Sequence, residues 1–556
     1  GVNIPSAVTE IGEYAFNNCA VVNNIVLPDD LVSIGRYAFA GCKLLNDIVI
    51  PNGITVIPQY CFRNCESLES IVLGQQIKSV EMYSFSGCTA LKSVKLPDGL
   101  TELAQATFEK CESLVNLDIP ATVTKLGNYA FDGCKSLVLD IPQQLTSIGS
   151  YAFRGCASFT TAVIPAAITS VPNYVFANCS ALRKVTMSDH VTQIGSYAFQ
   201  NCKALESIHI AGTEVNGADL GSVLPSALKN VMTYAFQNCE ALKLNPDMPA
   251  TLTQIGNYAF DGMKQLSAIN LPEGFKTFGQ YSFRNTSLKS IVIPQSVTNI
   301  QVNYAFVGCP VVYITNPVPG SIYTNTFKQT ASAYVRVVVP SGTKADFDAK
   351  SSYWKNTKVV EPELNVAFTD EQISTAANSA QLTANIKVDY ADDSVPERFR
   401  KADAAHLRSG DVQLLYRVAD SSDESVAVAA VVGTDNVATV SLSSLAEATK
   451  YSYNWVYTLG SISVASSENE FTTSSTTTGV DGLHASDATI GYADGLLTIS
   501  GYSGYSFTIT NVAGSVVRTF ECLAQSIGEP LRLTPGVYVV YGQCGADSVG
   551  AKILVK

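Results

Sequence analysis

The chain is short of the groups that most enzyme chemistry needs. Only four of its 556 residues are His, at 190, 209, 406 and 484, and no motif sets a nucleophile beside any of them. A metalloprotease His-Glu pattern, a phosphate-binding loop and a nucleophile elbow are all missing. Gly501-Tyr502-Ser503-Gly504 falls one residue short of the elbow and reads as a turn. Asp389-Tyr390-Ala391-Asp392-Asp393 lacks the spaced ligands of a calcium loop and reads as a solvated acidic turn. No catalytic residue, metal site or cofactor is expected. Charge is scarce as well: 15% of residues are charged, with 36 Lys plus Arg against 48 Asp plus Glu. A net charge of -12 without any basic cluster excludes nucleic acid as a partner, since phosphate-backbone affinity comes from cations replacing counterions. No run of 18 apolar residues exists, so no helix is expected to span a bilayer.

What the chain has is a ruler. Phe16, Phe39, Phe62, Phe85, Phe108 and Phe131 stand 23 residues apart, and Phe returns at 153, 176, 199, 236, 260, 283 and 306. Around each runs a wording close to apolar-x-apolar-Pro-x-x-apolar-Thr-x-Ile-Gly-x-Tyr-Ala-Phe-x-x-Cys-x-x-Leu. One such unit cannot bury its own apolar face, so stability must come from stacking units into a solenoid of about 13 repeats. In each repeat an alternating run such as Leu68-Glu69-Ser70-Ile71-Val72-Leu73 predicts a parallel strand. A Pro eleven residues before most of the Phe ends that strand, and the Tyr-Ala-Phe-x-x-Cys segment suits a 3₁₀ or single helical turn. The expected fold class is mainly β with short helical turns: a solenoid followed by two small β-sandwiches.

The spacing breaks once. Between Phe199 and Phe236 there are 37 residues, and the excess of 14 falls between Ala211 and Pro225, which predicts a protruding loop carrying Glu214 and Asp219. The chain opens in mid-repeat at Gly1-Val2-Asn3-Ile4-Pro5, where a solenoid needs a polar cap; we expect upstream residues there, with a signal and a lipid or other tether. At the other end, 341–358 with Phe347 and Trp354 reads as an amphipathic closing segment. Apolar residues at 46% argue against disorder. A composition break near 361 divides the chain into three expected domains: the solenoid at 1–361 with its cap at about 335–361, a sandwich at 362–474 and a small β unit at 480–556. A Ser/Thr tract separates the last two.

Twelve of the 14 Cys lie in the array and eleven occupy one slot, three residues after the Phe. Parallel rungs hold such side chains too far apart for disulfides, and the slot also takes Met263 and Thr286, so a ladder of buried thiols is expected. One thiol per rung cannot surround a zinc ion. Cys522 and Cys544, the sole pair of the last domain, are left open between a disulfide and free thiols.

Function is therefore expected on the outer surface. The strand residues pointing away from the core form a row, Val26, Val49, Val72, Lys95, Asp118, Asp140, Val163, Thr186 and His209, which changes chemistry from rung to rung and is the candidate partner-binding face; its alternative is an ordinary β surface. The near-invariant Tyr two residues before each Phe suits scaffold packing, with a carbohydrate platform as the alternative.

The wording Ile-Gly-x-Tyr-Ala-Phe-x-x-Cys-x-x-Leu, with Val339-Pro340-Ser341-Gly342-Thr343-Lys344 and Trp354, resembles the BspA-like leucine-rich-repeat surface proteins of Bacteroides-type bacteria over residues 1 to about 360. The resemblance implies an exported bacterial cell-surface protein, an adhesin for host matrix proteins, host cells or other bacteria, with an extracellular protein or glycan as partner. Leu445-Ala446-Glu447-Ala448-Thr449-Lys450-Tyr451-Ser452-Tyr453 followed by Phe471-Thr472-Thr473 resembles the closing strands of fibronectin type III modules. The final unit, ending Gly536-Val537-Tyr538-Val539-Val540 and Lys552-Ile553-Leu554-Val555-Lys556, resembles C-terminal sorting domains of type IX secretion, though it lacks their Pro-containing opening motif; a retained β-sandwich is the alternative. A structural spacer and a glycan-capture accessory remain as competing functions.

Overall fold

The computed structural model describes all residues except 213–221, 331–332, 408–409, 476–488, 494–495, 503, 523–525, 545–546 and 556. Glu214, Asp219 and most of the Ser/Thr tract lie outside the described residues. The chain is mainly β, with a solenoid of about 14 turns of ~23 residues running to about residue 338. The fourteenth turn is centred on Phe327, whose ring stacks 5.3 Å from Phe306; it extends the 13 Phe-marked repeats expected.

Many turns carry the expected outer strand, paired in register with its neighbours: Asp47, Ile48 and Val49 lie beside Ser70, Ile71 and Val72, whereas the turns at 116, 247 and 270 keep only single bridges and 137–142 is extended without strand pairing. The middle residue points into the core and its two neighbours point out. A second short strand, not anticipated, follows the corner, as in Val56–Ile57 beside Ser79–Val80. The Tyr-to-Cys segment keeps only part of the expected 3₁₀ pattern. Ala38, Ala40 and Cys42 donate to carbonyls three residues back, while Tyr37, Phe39 and Gly41 donate to Gln59, Cys61 and Arg63 of the next rung. Helical continuation is blocked because every Tyr of the row sits in the left-handed region, φ +54° to +63°. A bulky residue there costs about 1–2 kcal/mol, offset by the cross-rung bonds and by ring stacking worth roughly 0.5–1.5 kcal/mol per pair. The residue two after the Phe is left-handed as well, which explains the choice of Asn18, Gly41, Asn64 and Gly87 there.

The core is one continuous cluster from Ile11 to Val359. Its Phe rings stack from Phe16 to Phe283, with successive centroids 5.3–6.1 Å apart. The 14 extra residues leave this ladder undisturbed. Gln193 and Ile194 pair directly with Asn230 and Val231, and the Asp189 carboxylate accepts bonds from the amide and hydroxyl of Ser226.

Helices α1 (Lys344–Lys350) and α2 (Ser352–Thr357) follow the last strand. Trp354 of α2 packs 5.6 Å from Phe327 and 4.9 Å edge-on to Phe347, and its indole N–H donates to the Gly320 carbonyl at 2.7 Å. Helix α3 (Glu397–Leu407) lies on the outward face of the last three strands: Val395 and Phe399 bury Val292, Tyr313 and Val338. Asp403 of α3 accepts from the Ser341 amide and hydroxyl and from the Tyr390 hydroxyl. Nothing in the repeat pattern signals this helix.

Contacts divide the chain into two compact units. The first comprises Gly1–Ala367, Lys387–Val412 and Val456–Ala465, and the second Phe368–Ile386, Gln413–Trp455 and Ser466–Lys556. In the second, Ser379–Asn385 runs antiparallel to Val437–Ser443 and 450–453 to Asn469–Thr472, with Trp455 buried and stacked 6.2 Å from Phe368. Its last part holds a three-stranded sheet (Thr489–Ala493, Leu496–Ser500, Ser526–Pro530) and a four-stranded one (Tyr505–Asn511, Val516–Cys522, Gly536–Cys544, Asp547–Val555). No disulfide joins Cys522 to Cys544. No helix among the described residues is long and apolar enough to cross a membrane.

Candidate binding face on the solenoid strands

Strand register aligns part of the row expected from the sequence; Asp140 has no strand pairing. Val163, Thr186 and His209 are direct cross-strand partners, as are Val49 and Val72. Continuing the Asn24–Asp47 and Ser93–Asn116 bridges by two residues sets Val26 beside Val49 and Lys95 beside Asp118, and continuing the Ile71–Val94 pair by one sets Val72 beside Lys95. Val26, Val49, Val72, Lys95, Asp118, Asp140 and Val163 are exposed, while Thr186 and His209 are half-buried.

Charges on this side fall into two classes. Those just before the strands pair across rungs: Lys43 with Glu66 at 2.8 Å, Lys92 with Glu69 at 2.6 Å, Lys135 with Glu112 at 2.8 Å and Arg183 with Glu206 at 2.6 Å. These exposed pairs are each worth little. Lys95, Asp118 and Asp140, in contrast, make no ion pair among the described residues. They are exposed charges on the extended segments that follow or replace the outer strands, available to a partner without first breaking an ion pair. His209 accepts or donates at 3.1 Å to the Ser207 hydroxyl. Burial, and secondly the nearby Lys184, hold its pKa below the usual value, so the ring is neutral at physiological pH.

The row does not run free to the end of the solenoid. Its continuation through Val292, Tyr313 and Val338 is covered by α3. That limit escaped the sequence, where these residues look like any other outward position.

The Tyr row is built differently. Ring centroids lie 4.2–5.2 Å apart and nearly parallel, so neighbouring rings consume each other's faces. Arg154 sits over Tyr129 and Tyr151 and Arg284 over Tyr258 and Tyr281, each held by two bonds to a buried Asp, Asp132 or Asp261. A sugar needs an open ring face to stack on, and this ladder offers mainly edges.

The thiols face inward. Cys65, Cys88, Cys111 and Cys134 each donate to the carbonyl of the Phe one rung earlier, at 3.0–3.2 Å. Burial pushes Cys42 and Cys179 up to about 12. No group of three or more His, Cys, Asp or Glu able to hold a metal is found among the described residues. Because the thiolate is the reactive form, native protein at pH 8 is expected to leave the buried array thiols unalkylated, whereas denaturation without reductant exposes all twelve to labelling. Intact-mass analysis reads the difference, and array disulfides surviving denaturation would contradict it.

Comparison with known proteins follows the same lines. The chain is similar to a leucine rich cell surface protein from Faecalibacterium prausnitzii A2-165, at 24% identity over 54% of this chain and 83% of that one, with a TM-score of 0.37. It is also similar to a leucine-rich repeat protein from Bacteroides ovatus ATCC 8483, at 25% identity over 53% and 87% with a TM-score of 0.36. A leucine rich repeat protein of T. pallidum aligns at 28% identity over 29% and 77%, with a TM-score of 0.27. No curated protein matches. The model of the BspA type leucine rich repeat region matches residues 1–115, 101–216 and 220–333. With more than half of its length so matched, the chain belongs to the BspA-type leucine-rich-repeat family.

Proposed function

We propose that the protein is a non-catalytic, extracellular cell-surface binding protein: an adhesin that recognises host matrix or cell-surface macromolecules through the outward strand face of its solenoid. The observation that carries the reading is the row itself. Valines, then the unpaired charges Lys95, Asp118 and Asp140, then Val163, Thr186 and His209 stand at fixed spacing on a rigid ladder, and a row that varies can encode one partner. Glu214 and Asp219 belong to the same reading as an adjoining loop. We further propose that 362–474 is a fibronectin-III-like module and 480–556 a C-terminal β-sandwich of sorting or retained type.

Immobilised matrix proteins and polysaccharides probed with the intact chain test this. Saturable binding to at least one of them is expected, with no turnover of the ligand. A chain that binds none, while tolerating any change on the row, is a spacer.

A further inference from the structure

At its C-terminal end the strand face already has an occupant, and that occupant shows what the surface accepts. Val292, Tyr313 and Val338 hold the outward position on three consecutive strands and are 9%, 7% and 2% exposed. Val395 and Phe399, four residues apart, cover them. Between those two, Arg398 reaches out to Glu273 at 2.5 Å. The first rungs repeat the apolar outward row, with a valine where Tyr313 meets Phe399. Val26, Val49 and Val72 hold the same outward position on three consecutive strands, but they are 57%, 60% and 58% exposed.

The N-terminal valines are not scattered singly. Val49 and Val72 line a depression of about 650 Å³ together with Asp47, Glu66, Glu69 and Ser70. Asp47 makes no ion pair among the described residues, and Glu66 and Glu69 are engaged only by exposed lysines, contacts an incoming cation can exchange at small cost. The face thus offers an apolar stripe with an acidic border, complementary to a segment built like 395–399. An added β-strand needs the unpaired backbone of a sheet edge, which a face of side chains does not offer. A sugar ring needs an aromatic platform, and none of the lining residues is aromatic.

We propose that the Val26–Val49–Val72 face is a docking site for a basic segment of a partner protein that enters a helix, presenting one apolar side chain just ahead of the helix, as Val395 does, and a second in its first turn, as Phe399 does, with an Arg or Lys beside them. This rests on the strand face being the adhesive surface and narrows it to one end and one class of partner.

The probe is a synthetic peptide of residues 394–407, offered to the full chain. The resident copy is tethered and so holds its own site at high effective concentration, leaving the N-terminal face to the peptide. Saturable binding is expected, with slowed amide exchange at 47–49 and 70–72. Val49→Thr with Val72→Thr keeps the β-branched shape while placing hydroxyls against the apolar ligand, and is expected to weaken binding roughly tenfold or more. Peptide carrying Val395→Ala and Phe399→Ala should not bind. No saturable binding up to about 1 mM, protection confined to 290–293 and 311–314, or indifference to the valine changes overturns the proposal. So does a polysaccharide that binds this face in place of the peptide. Macromolecule binding that survives the valine changes but is lost on altering Lys95, Asp118 and Asp140 removes this proposal and leaves the adhesive reading standing. Peptide binding by a chain that captures no macromolecule does the reverse.

Discussion

Raising the pH from neutrality to about 10 is expected to destabilise the array strongly. The cause is the thiol ladder. In the unfolded chain each thiol titrates near 9.0, whereas in the folded array burial raises Cys61, Cys111, Cys134, Cys156 and Cys202 well above that and Cys239 and Cys309 with them, and Cys65 is raised by its hydrogen bond with Cys88 first and by burial second. Between the two values the native state binds more protons than the unfolded one, so stability is complete below pH 9 and falls as pH rises. Every buried thiol contributes in the same direction, so the loss accumulates along the ladder. Because rungs are coupled mainly to their neighbours, the loss should appear as cooperative melting of blocks. Urea midpoints measured from pH 7 to 10.5 check this, and a midpoint that holds to pH 10 contradicts it. Replacing several ladder thiols with Ala or Val should flatten the pH dependence whatever it does to stability at neutral pH.

Trp354→Ala is the second large effect, expected to cost about 3–5 kcal/mol. The indole is almost wholly buried against Phe327 and Phe347, and its loss leaves a cavity over the last rung as well as an unsatisfied Gly320 carbonyl. Hydrogen exchange should accelerate first in 311–338 and fade toward the middle of the array. Uniform acceleration, or none, would show that α1 and α2 do not close the stack. The same reasoning bears on truncation: on the repeat pattern alone, a chain ending near Glu361 is expected to be soluble because it keeps the closing segment 341–358. A chain ending at Glu361 retains both end helices but uncovers Val292, Tyr313 and Val338, so a soluble array needs α3 as well.

How much of this is visible in the sequence follows from the physics of stacking. Twenty-three-residue spacing maps directly onto rungs because each turn touches mainly its neighbours, so Phe16 to Phe306, the inward Cys slot and the outward row could all be placed by counting. Phe327 was hidden because its turn has lost the surrounding wording: Asn325 stands where Tyr should, and Thr326 where Ala should. The left-handed Tyr was invisible because Tyr-Ala-Phe has no Gly or Asn to announce it; cross-rung hydrogen bonds hold that backbone, as at Ala106, which takes φ +54° in the same slot and donates to the Asn128 carbonyl with no ring to stack. The contact between α3 and the strand face joins Tyr313 to Phe399 at 5.2 Å, a pairing across residues far apart in the chain that no periodicity encodes. The unpaired state of Lys95, Asp118 and Asp140 was likewise unreadable, since ion pairing depends on which neighbours reach across the rung.

The central claim, that binding resides on the strand face and not on the Tyr ladder, is tested most directly by comparing two variants against whichever macromolecule the intact chain captures. Lys95→Glu, Asp118→Lys and Asp140→Lys together reverse the unpaired charges without touching the core. Tyr151→Phe, Tyr174→Phe and Tyr197→Phe keep the stack and delete its hydroxyl edge. Affinity should fall at least about tenfold in the first and hold in the second, with both proteins melting like the parent. Full-strength binding by the charge-reversed chain, with loss in the Tyr variant, would contradict the account.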